Sequence, residues 1–225
     1  MRPNSNFPLK RLEIIKVALD LFLVKGYEQT KISHILKTAN LSKGGMYHYF
    51  ESKEAILDGV IEYALSEELT DFDKKLHSAD TVFDKLELYL DNSPLDYSDY
   101  LKKFTQFKGH SNSIVSYRIK DISASFGIPY LQTVIESGID EKIFKTDYPE
   151  ELAFVLYQAG EKLVTTVANL NQSGNLDANK EKRRKILAFN QLLTCTLQIE
   201  ENYSQKLYQQ LTRILMPEDI QGGQL

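Results

Sequence analysis

Residues 30–53, TKISHILKTANLSKGGMYHYFESK, constrain the fold of this chain more than any other segment. Thr30 is a favourable N-cap, and apolar residues follow it at the spacing of an amphipathic helix. Asn40 and Leu41 then form a turn, and Ser42 caps a second short helix. These signals predict two helices joined by a sharp turn, which is a helix-turn-helix.

The second helix of this motif has two unlike faces. Met46 and Phe50 lie one turn apart on one side and are expected to enter the core. The residues on the other side are basic, aromatic or glycine: Lys43, Gly44, Tyr47 and His48. Such a face suits the reading of base edges in the major groove of DNA.

Two adjacent glycines, Gly44 and Gly45, are unusual inside so short a helix. Each costs a helix about 0.8–1 kcal/mol relative to alanine, so a compensating role is expected. Without Cβ atoms, this turn of the helix can approach the DNA backbone or the groove floor closely.

Together with the segment RLEIIKVALDLF and the pair Gly26-Tyr27, residues 30–53 closely resemble the DNA-binding domain of the TetR family of bacterial transcriptional regulators. We expect a first helix from about Lys10 to Lys25, which Gly26 ends. The resemblance is strong over about residues 10–65 and weak beyond them. It implies an all-α protein in which a three-helix helix-turn-helix domain precedes a helical ligand-binding and dimerisation domain. We place these domains at residues 1–69, which include a linking fourth helix, and at residues 70–225.

The resemblance also implies which residues contact DNA. Lys43 can donate to guanine O6 and N7, whereas Tyr47 and Tyr49 match positions that bond phosphate. Lys53 follows Ser52, the expected N-cap of the fourth helix, where the helix dipole also favours phosphate. The full expected set is Lys31, Ser42, Lys43, Gly44, Gly45, Tyr47, His48, Tyr49 and Lys53.

Three members of this set leave alternatives open. Lys31 is also consistent with a solvated surface lysine, and Tyr47 with an aromatic residue of the core. Family members more often carry Thr, Ala, Ser or Asn where this chain has Gly45, which puts a base contact from that position in doubt.

Charge is distributed unevenly along the chain. Residues 1–53 hold nine basic and four acidic residues, a net charge of +5, whereas residues 54–225 hold 18 basic and 27 acidic residues, a net charge of −9. A basic unit on an acidic body suits a protein that holds phosphates at one end only.

Beyond residue 53 the apolar spacing is helical throughout, without sustained period-two alternation. We expect the fourth helix to end near residue 69, and further helices over 81–91, 97–108, 112–125 and 149–170. Gly127 is expected to break the chain, Pro129 to start a helix that stops at Ser137-Gly138, and a last pair of helices to begin near Asn179 and after a break at 200–203.

The resemblance implies a homodimer and a ligand. The dimer would form through helices over about 149–170 and 180–199, and an unknown small molecule would bind among aromatic residues of the body. An aromatic stripe at helical spacing is more often part of a solid core, whereas several tyrosines in one core favour a cavity that supplies partners for their hydroxyl groups. The expected pocket residues are Leu65, Phe104, Phe107, Tyr117, Phe126, Tyr130, Tyr157 and Glu161.

Other classes of protein are disfavoured. The chain shows no catalytic motif, so we expect neither an enzyme nor a cofactor, and His34 and His48 lack partners at metal-ligand spacing. Its single cysteine, Cys195, is expected to be a small buried side chain. No signal-peptide pattern and no run of about 18 apolar residues occur, so we expect a cytoplasmic protein without a membrane partner.

The sequence therefore predicts a DNA-binding transcriptional regulator, with double-stranded operator DNA as its partner. A repressor released from a palindromic operator by a small molecule is the first hypothesis. A DNA-bound adaptor or activator that recruits another protein, without a small-molecule inducer, is the second.

Overall fold

The computed structural model describes residues 7–91, 113–172 and 177–217. This part of the chain is entirely helical and contains no strand, which confirms the predicted fold class. Its helices are α1 (Phe7–Lys25), α2 (Ile32–Thr38), α3 (Lys43–Tyr47), α4 (Lys53–Ser78), α5 (Val82–Asp91), α6 (Ser113–Asp140), α7 (Pro149–Gln172), α8 (Ala178–Thr196) and α9 (Glu201–Leu215). The helix predicted over 97–108 lies outside the described residues.

The chain forms two compact units, one of residues 1–71 and 96–123 and the other of residues 72–95 and 124–225. The chain is thus not divided by a single cut near residue 70, because residues 113–123 of α6 group with the first unit. The core of the first unit is apolar and draws on α1 to α4; its fully buried residues include Ile14, Ala18, Phe22, Ile35, Met46, Ile56, Leu57 and Val60.

Gly26 before α2 and Asn40 after it have the turn conformations expected of glycine and asparagine. Gly26 ends α1 with φ of +82°, a value that glycine adopts without steric cost. Asn40 has φ of +50° in the turn between α2 and α3, a conformation that asparagine tolerates better than most residues.

The expected N-cap role of Thr30 is wrong. Lys31 occupies the N-cap position of α2, and the fully buried Thr30 hydroxyl turns back towards α1. It donates to the carbonyl oxygens of Gly26 at 2.8 Å and Leu21 at 3.3 Å. Carbonyl groups in the last turn of a helix have few intrahelical donors, so Thr30 stabilises the end of α1 instead of the start of α2.

The fourth helix is longer than predicted, because α4 continues to Ser78. The segment after residue 69 looks polar, but Phe72 and Leu76 keep the helical spacing that begins with Ile61 and Leu65, and all four are buried. A narrow apolar stripe therefore carries the helix through a segment rich in aspartate and lysine.

A paired arginine and aspartate join α4 to α6 within the first unit. Arg118 Nε donates to Asp58 Oδ1 at 2.6 Å, and Arg118 Nη2 donates to the other carboxylate oxygen. Both side chains are partly buried, and the hydrogen bond that Arg118 donates to Asp58 raises the pKa of Arg118. Two parallel hydrogen bonds between charged groups fix both distance and orientation, so this pair holds α6 against α4.

The predicted break at Gly127 and the separate helix from Pro129 are also wrong, since both residues lie inside α6. A Cβ atom on Gly127 would lie 2.3 Å from the Tyr157 ring, so this glycine makes room for an aromatic side chain. Pro129 removes one backbone donor, but Leu131 and Val134 beyond it are buried in the second unit. Tertiary packing overrides the local signal.

The helix α6 ends two residues later than predicted. The carbonyl oxygen of Gly138 accepts the backbone N–H groups of Ile143 and Phe144, both at 2.9 Å. The Phe144 ring covers Gly138 so closely that a Cβ atom there would lie 2.1 Å from it. Gly138 is therefore a packing position next to the helix end.

The second unit is held together by contacts of α5 with α6 and α9, and by packing of α8 on α7 and on α9. The Val82 N–H donates to Glu141 Oε1 at 2.6 Å, and Lys85 Nζ donates to Ser137 Oγ at 2.8 Å. Gln210 Nε2 donates to the Phe83 carbonyl at 3.2 Å. These contacts fasten α5 at its N-terminal end to two helices distant in sequence.

Cys195 is exposed on α8, which corrects the expectation that it is buried. In the part of the chain that the structure describes, no helix combines the length and apolarity required to cross a membrane.

Substitution of Gly127 by alanine is expected to destabilise the protein by about 1–3 kcal/mol, because the new methyl group would collide with the Tyr157 ring. Denaturant unfolding of the full chain measures the change. Gly160→Ala is the matched control: Gly160 is also a buried glycine inside a helix, but its Cβ atom would lie at an ordinary 3.6 Å from Phe189. Equal stability of the Gly127→Ala variant and the wild type would contradict this account.

Candidate nucleic-acid interface

The helix α3 is fixed at its start by Ser42, as predicted. Ser42 has extended backbone angles, and its Oγ accepts the backbone N–H of Gly45 at 3.0 Å. Its carbonyl oxygen accepts the Met46 N–H at 3.1 Å. Ser42 is exposed beside α3 while its hydroxyl serves as the cap.

One side of α3 is buried, as the spacing predicted. Met46 has no exposed surface and Phe50, just beyond the helix, is only 3% exposed. The guanidinium carbon of Arg11 in α1 lies 4.8 Å from the centroid of the Phe50 ring. The segment that leaves α3 is thus held against α1, and α3 itself packs on α2.

The other side of α3 is exposed and carries the residues expected to read DNA. Lys43, Gly44 and His48 are exposed, and 48% of Tyr47 is exposed. The exposure of Tyr47 argues against its alternative role as a core aromatic residue. The four residues therefore form a continuous basic and aromatic surface, which we call the α3 face.

The two glycines of α3 have different environments. A Cβ atom on Gly44 would meet no atom within 4 Å, so nothing inside the protein requires glycine there. A Cβ atom on Gly45 would lie 3.2 Å from Ser42 Oγ, against the cap of the helix. The expectation that both glycines serve close approach to DNA stays a prediction, and for Gly45 the contact with the Ser42 cap is a second reason for glycine.

Tyr49 lies beside the α3 face and is half-buried. Its ring stacks on Phe7 with centroids 4.8 Å apart and an interplanar angle of 28°. The sequence prediction started the first helix at residue 10 and so missed this partner. The apolar character of Phe7 was the only signal for an earlier start.

Lys53 begins α4 at the edge of the same unit, next to Tyr27. Its Nζ lies 4.0 Å from the centroid of the Tyr27 ring and 3.5 Å from the carbonyl oxygen of Glu28. Burial lowers the pKa of Lys53, while Glu28 and Glu54 act in the opposite direction. Burial, and then the nearby Glu54 carboxylate, raise the pKa of Tyr27. The Tyr27 ring and the Glu28 carbonyl oxygen therefore hold the Lys53 side chain in place.

Lys31 lies at the N-cap of α2, one position before the expected first turn, and is exposed. Its backbone N–H donates to His34 Nδ1 at 3.3 Å. Its side chain is accessible to a phosphate from this position.

The expected ligand residues fall in both units of the structure. Leu65 and Tyr117 belong to the first unit, and 64% of Tyr117 is exposed, so it lines no enclosed cavity within that unit. Phe104 and Phe107 lie outside the described residues.

The remaining ligand residues belong to the second unit. Tyr157 is buried against Gly127, and the Tyr130 ring packs edge-on against Phe72 with centroids 4.8 Å apart. Phe126 and Glu161 are half-buried. Tyr157 and Tyr130 thus pack against neighbouring groups as core residues do.

Two concave regions of the second unit, each of about 460 Å³, have other linings. One lies along α8, where its lining includes Lys180, Arg184 and Lys185. The other lies at the start of α7, where its lining includes Lys145, Tyr148 and Gln198. Neither region is lined by any of the expected ligand residues. Among the described residues, no group of three or more His, Cys, Asp or Glu side chains is placed to hold a metal ion.

The turn after α2, the buried side of α3 and its exposed basic face define a helix-turn-helix protein of the DNA-binding class. Residues 14–60 match the family model described as bacterial regulatory proteins, tetR family. Residues 14–60 therefore form a DNA-binding domain of the tetR type.

Individual relatives agree with this assignment. The chain is 35% identical over 91 residues to the uncharacterized HTH-type transcriptional regulator YuxN of Bacillus subtilis, covering 39% of this chain and 31% of YuxN. It is 25% identical over 173 residues to the fatty acid metabolism regulator protein of Bacillus subtilis, covering 75% of this chain and 89% of that protein. The chain spans only 31% to 42% of the length of the first three curated relatives that it matches.

A solved structure supports the fold over most of the chain. The crystal structure of a TetR-family transcriptional regulator from Pectobacterium atrosepticum aligns with a TM-score of 0.54 and 18% identity, covering 87% of this chain and 98% of that one. At this identity the likeness establishes the fold alone.

The hydroxyl of Thr30 is expected to stabilise the helix-turn-helix. Thr30→Val keeps the shape of the side chain but removes the donor to Gly26 and Leu21, and should cost about 1–2 kcal/mol of unfolding free energy. Thr70→Val is the control, since the exposed Thr70 hydroxyl donates to Ser66 within α4, and should change stability by less than about 0.5 kcal/mol. Urea unfolding followed by circular dichroism measures both. Similar effects of the two substitutions would exclude the role given to Thr30.

Proposed function

We propose that this chain is a sequence-specific DNA-binding transcriptional regulator whose α3 face enters the major groove. The observation that carries the proposal is the division of α3 into a buried side at Met46 and an exposed basic and aromatic side at Lys43, Tyr47 and His48. A helix with these two faces can be held by the protein while it contacts bases.

In this proposal the exposed residues have distinct roles. Lys43, in the first turn of α3, donates to guanine O6 and N7, and His48 is a second base-reading residue. Tyr47, Tyr49, Ser42 and Lys31 contact phosphates. Lys53 adds its ammonium group to the N-terminal dipole of α4 at a further phosphate.

The distribution of charge along the chain supports DNA binding through residues 1–53. The net charge of +5 over residues 1–53 contrasts with −9 over residues 54–225. Phosphate contacts made by lysine and arginine release counterions, so affinity falls steeply as salt rises. The acidic remainder of the chain disfavours binding of DNA elsewhere on the protein.

We further propose a homodimer through α7 and α8, close to the predicted segments 149–170 and 180–199. Support comes from large apolar side chains exposed on these two helices, with exposed fractions of 55% for Phe154, 51% for Val155 and 54% for Leu187. A second copy of the chain can bury them. Two recognition helices about 34–36 Å apart would then read the two halves of a palindromic operator.

Regulation by a small molecule completes the proposal. A ligand held in the second unit, by predicted residues such as Phe126 and Glu161, would shift α4 and change the separation of the two recognition helices. The Asp58–Arg118 pair supports this mechanism, because it ties α4 within the first unit to α6, and α6 continues into the second unit. Such a ligand would release a repressor from its operator.

Selection of duplex DNA from a random library by the full chain tests sequence-specific DNA binding. The Lys43→Ala variant tests the role of the α3 face. We expect Lys43→Ala to weaken binding of the selected duplex by about 10- to 100-fold and to relax the preference at one base pair, because it removes a base contact. The exposed Lys145 in the second unit provides the control variant Lys145→Ala, which should bind as the wild type does. Enrichment of no duplex by the wild type would refute the proposed function.

The dimer is tested by placing charge on its proposed surface. Phe154→Glu combined with Leu187→Glu should convert the dimer to monomer in sedimentation velocity, since each carboxylate would be buried without a partner. Tyr148→Glu, at a residue that is 63% exposed but precedes α7, should leave the dimer intact. A double variant that stays dimeric would place the interface elsewhere.

A further inference from the structure

The first turn of α1 contacts the segments on both sides of α3. Phe7, the first residue of α1, stacks on Tyr49, which follows the C-cap of α3. Lys10 Nζ donates to the carbonyl oxygen of Ala39 at 3.3 Å, at the end of α2, and to Glu13 Oε1 at 2.8 Å. Residues three apart on a helix share a face, so one face of α1 reaches both segments.

This arrangement matters because α3 is only five residues long. A helix of this length does not fix its own orientation, and its position depends on the chain that enters and leaves it. The contact at Ala39 holds the chain that enters α3, and the stack at Tyr49 holds the chain that leaves it.

The stack between Phe7 and Tyr49 involves a Phe7 ring that is only partly buried. Phe7 is 41% exposed, so its ring contributes less to core burial than a fully buried phenylalanine would. The interplanar angle of 28° is that of a stacked pair, which restricts the rotation of the Tyr49 ring. The position of the Tyr49 hydroxyl, at the far end of that ring, is restricted in the same way.

We propose that Phe7 is a positioning residue for DNA binding, which acts by stacking on Tyr49 and presenting its hydroxyl to a phosphate. The inference rests on the proposed DNA-binding function. Phe7 itself contacts no DNA. Its effect on affinity passes entirely through the Tyr49 hydroxyl, which distinguishes positioning from a general contribution to folding.

A double-mutant cycle with the full chain tests this proposal, using a duplex selected from a random library by the wild type. Phe7→Ala should weaken binding three- to tenfold, as should Tyr49→Phe, which keeps the stack but removes the hydroxyl. Adding Phe7→Ala to Tyr49→Phe should cause less than a twofold further loss. Phe7→Tyr should restore wild-type affinity because it restores the stack.

The control variant is Leu9→Ala, at a residue in the same turn of α1 that is 67% exposed, and it should not change the affinity. Thermal unfolding of each variant checks that the fold is retained. The proposal would be wrong if Phe7→Ala bound DNA with wild-type affinity. It would also be wrong if Phe7→Ala reduced the affinity equally in the wild type and in the Tyr49→Phe variant. Neither result would contradict DNA binding by the wild type. A wild-type chain that enriches no duplex would instead refute the proposed function on which the proposal rests.

Discussion

The burial of Met46 and Phe50 is the interaction on which the DNA-binding surface depends. A helix of five residues with two glycines is unstable alone, because nucleation is unfavourable and the glycines cost about 2 kcal/mol together. Burial of the two large side chains contributes about 1.5–3 kcal/mol each, and the Ser42 cap about 1 kcal/mol. The favourable contributions are larger, so α3 exists because it is packed.

This dependence couples the α3 face to the core of the first unit. Lys43 and Tyr47 occupy the same short helix as Met46, so any displacement of Met46 moves the side chains of the α3 face. Ile56 and Leu57 of α4 belong to the same core. The Asp58–Arg118 pair joins α4 to α6, so α6 is connected to this core as well. The basic face therefore belongs to a compact unit that includes the first part of α4 and residues 113–123 of α6.

Local signals allowed much of this architecture to be predicted from the sequence. Ser42 as a cap, Gly26 as a helix end and the opposite faces at Met46 and Tyr47 each depend on a few neighbouring residues, and the structure confirms them. The errors arose where contacts outside a residue's own helix decide: Thr30 bonds back to Gly26 and Leu21, and Gly127 makes room for Tyr157. The pairing of Arg118 with Asp58, 60 positions away, had no signal in the local sequence.

The open space around Gly44 has a consequence for how the specificity of such a protein can change. A Cβ atom there meets no protein atom within 4 Å, and replacing glycine inside a helix favours the helix by up to about 1 kcal/mol. Gly45 lacks this freedom because its neighbour is the Ser42 cap. Residue 44 is thus a position where design or natural variation can introduce a new base-contacting group without first repairing the fold.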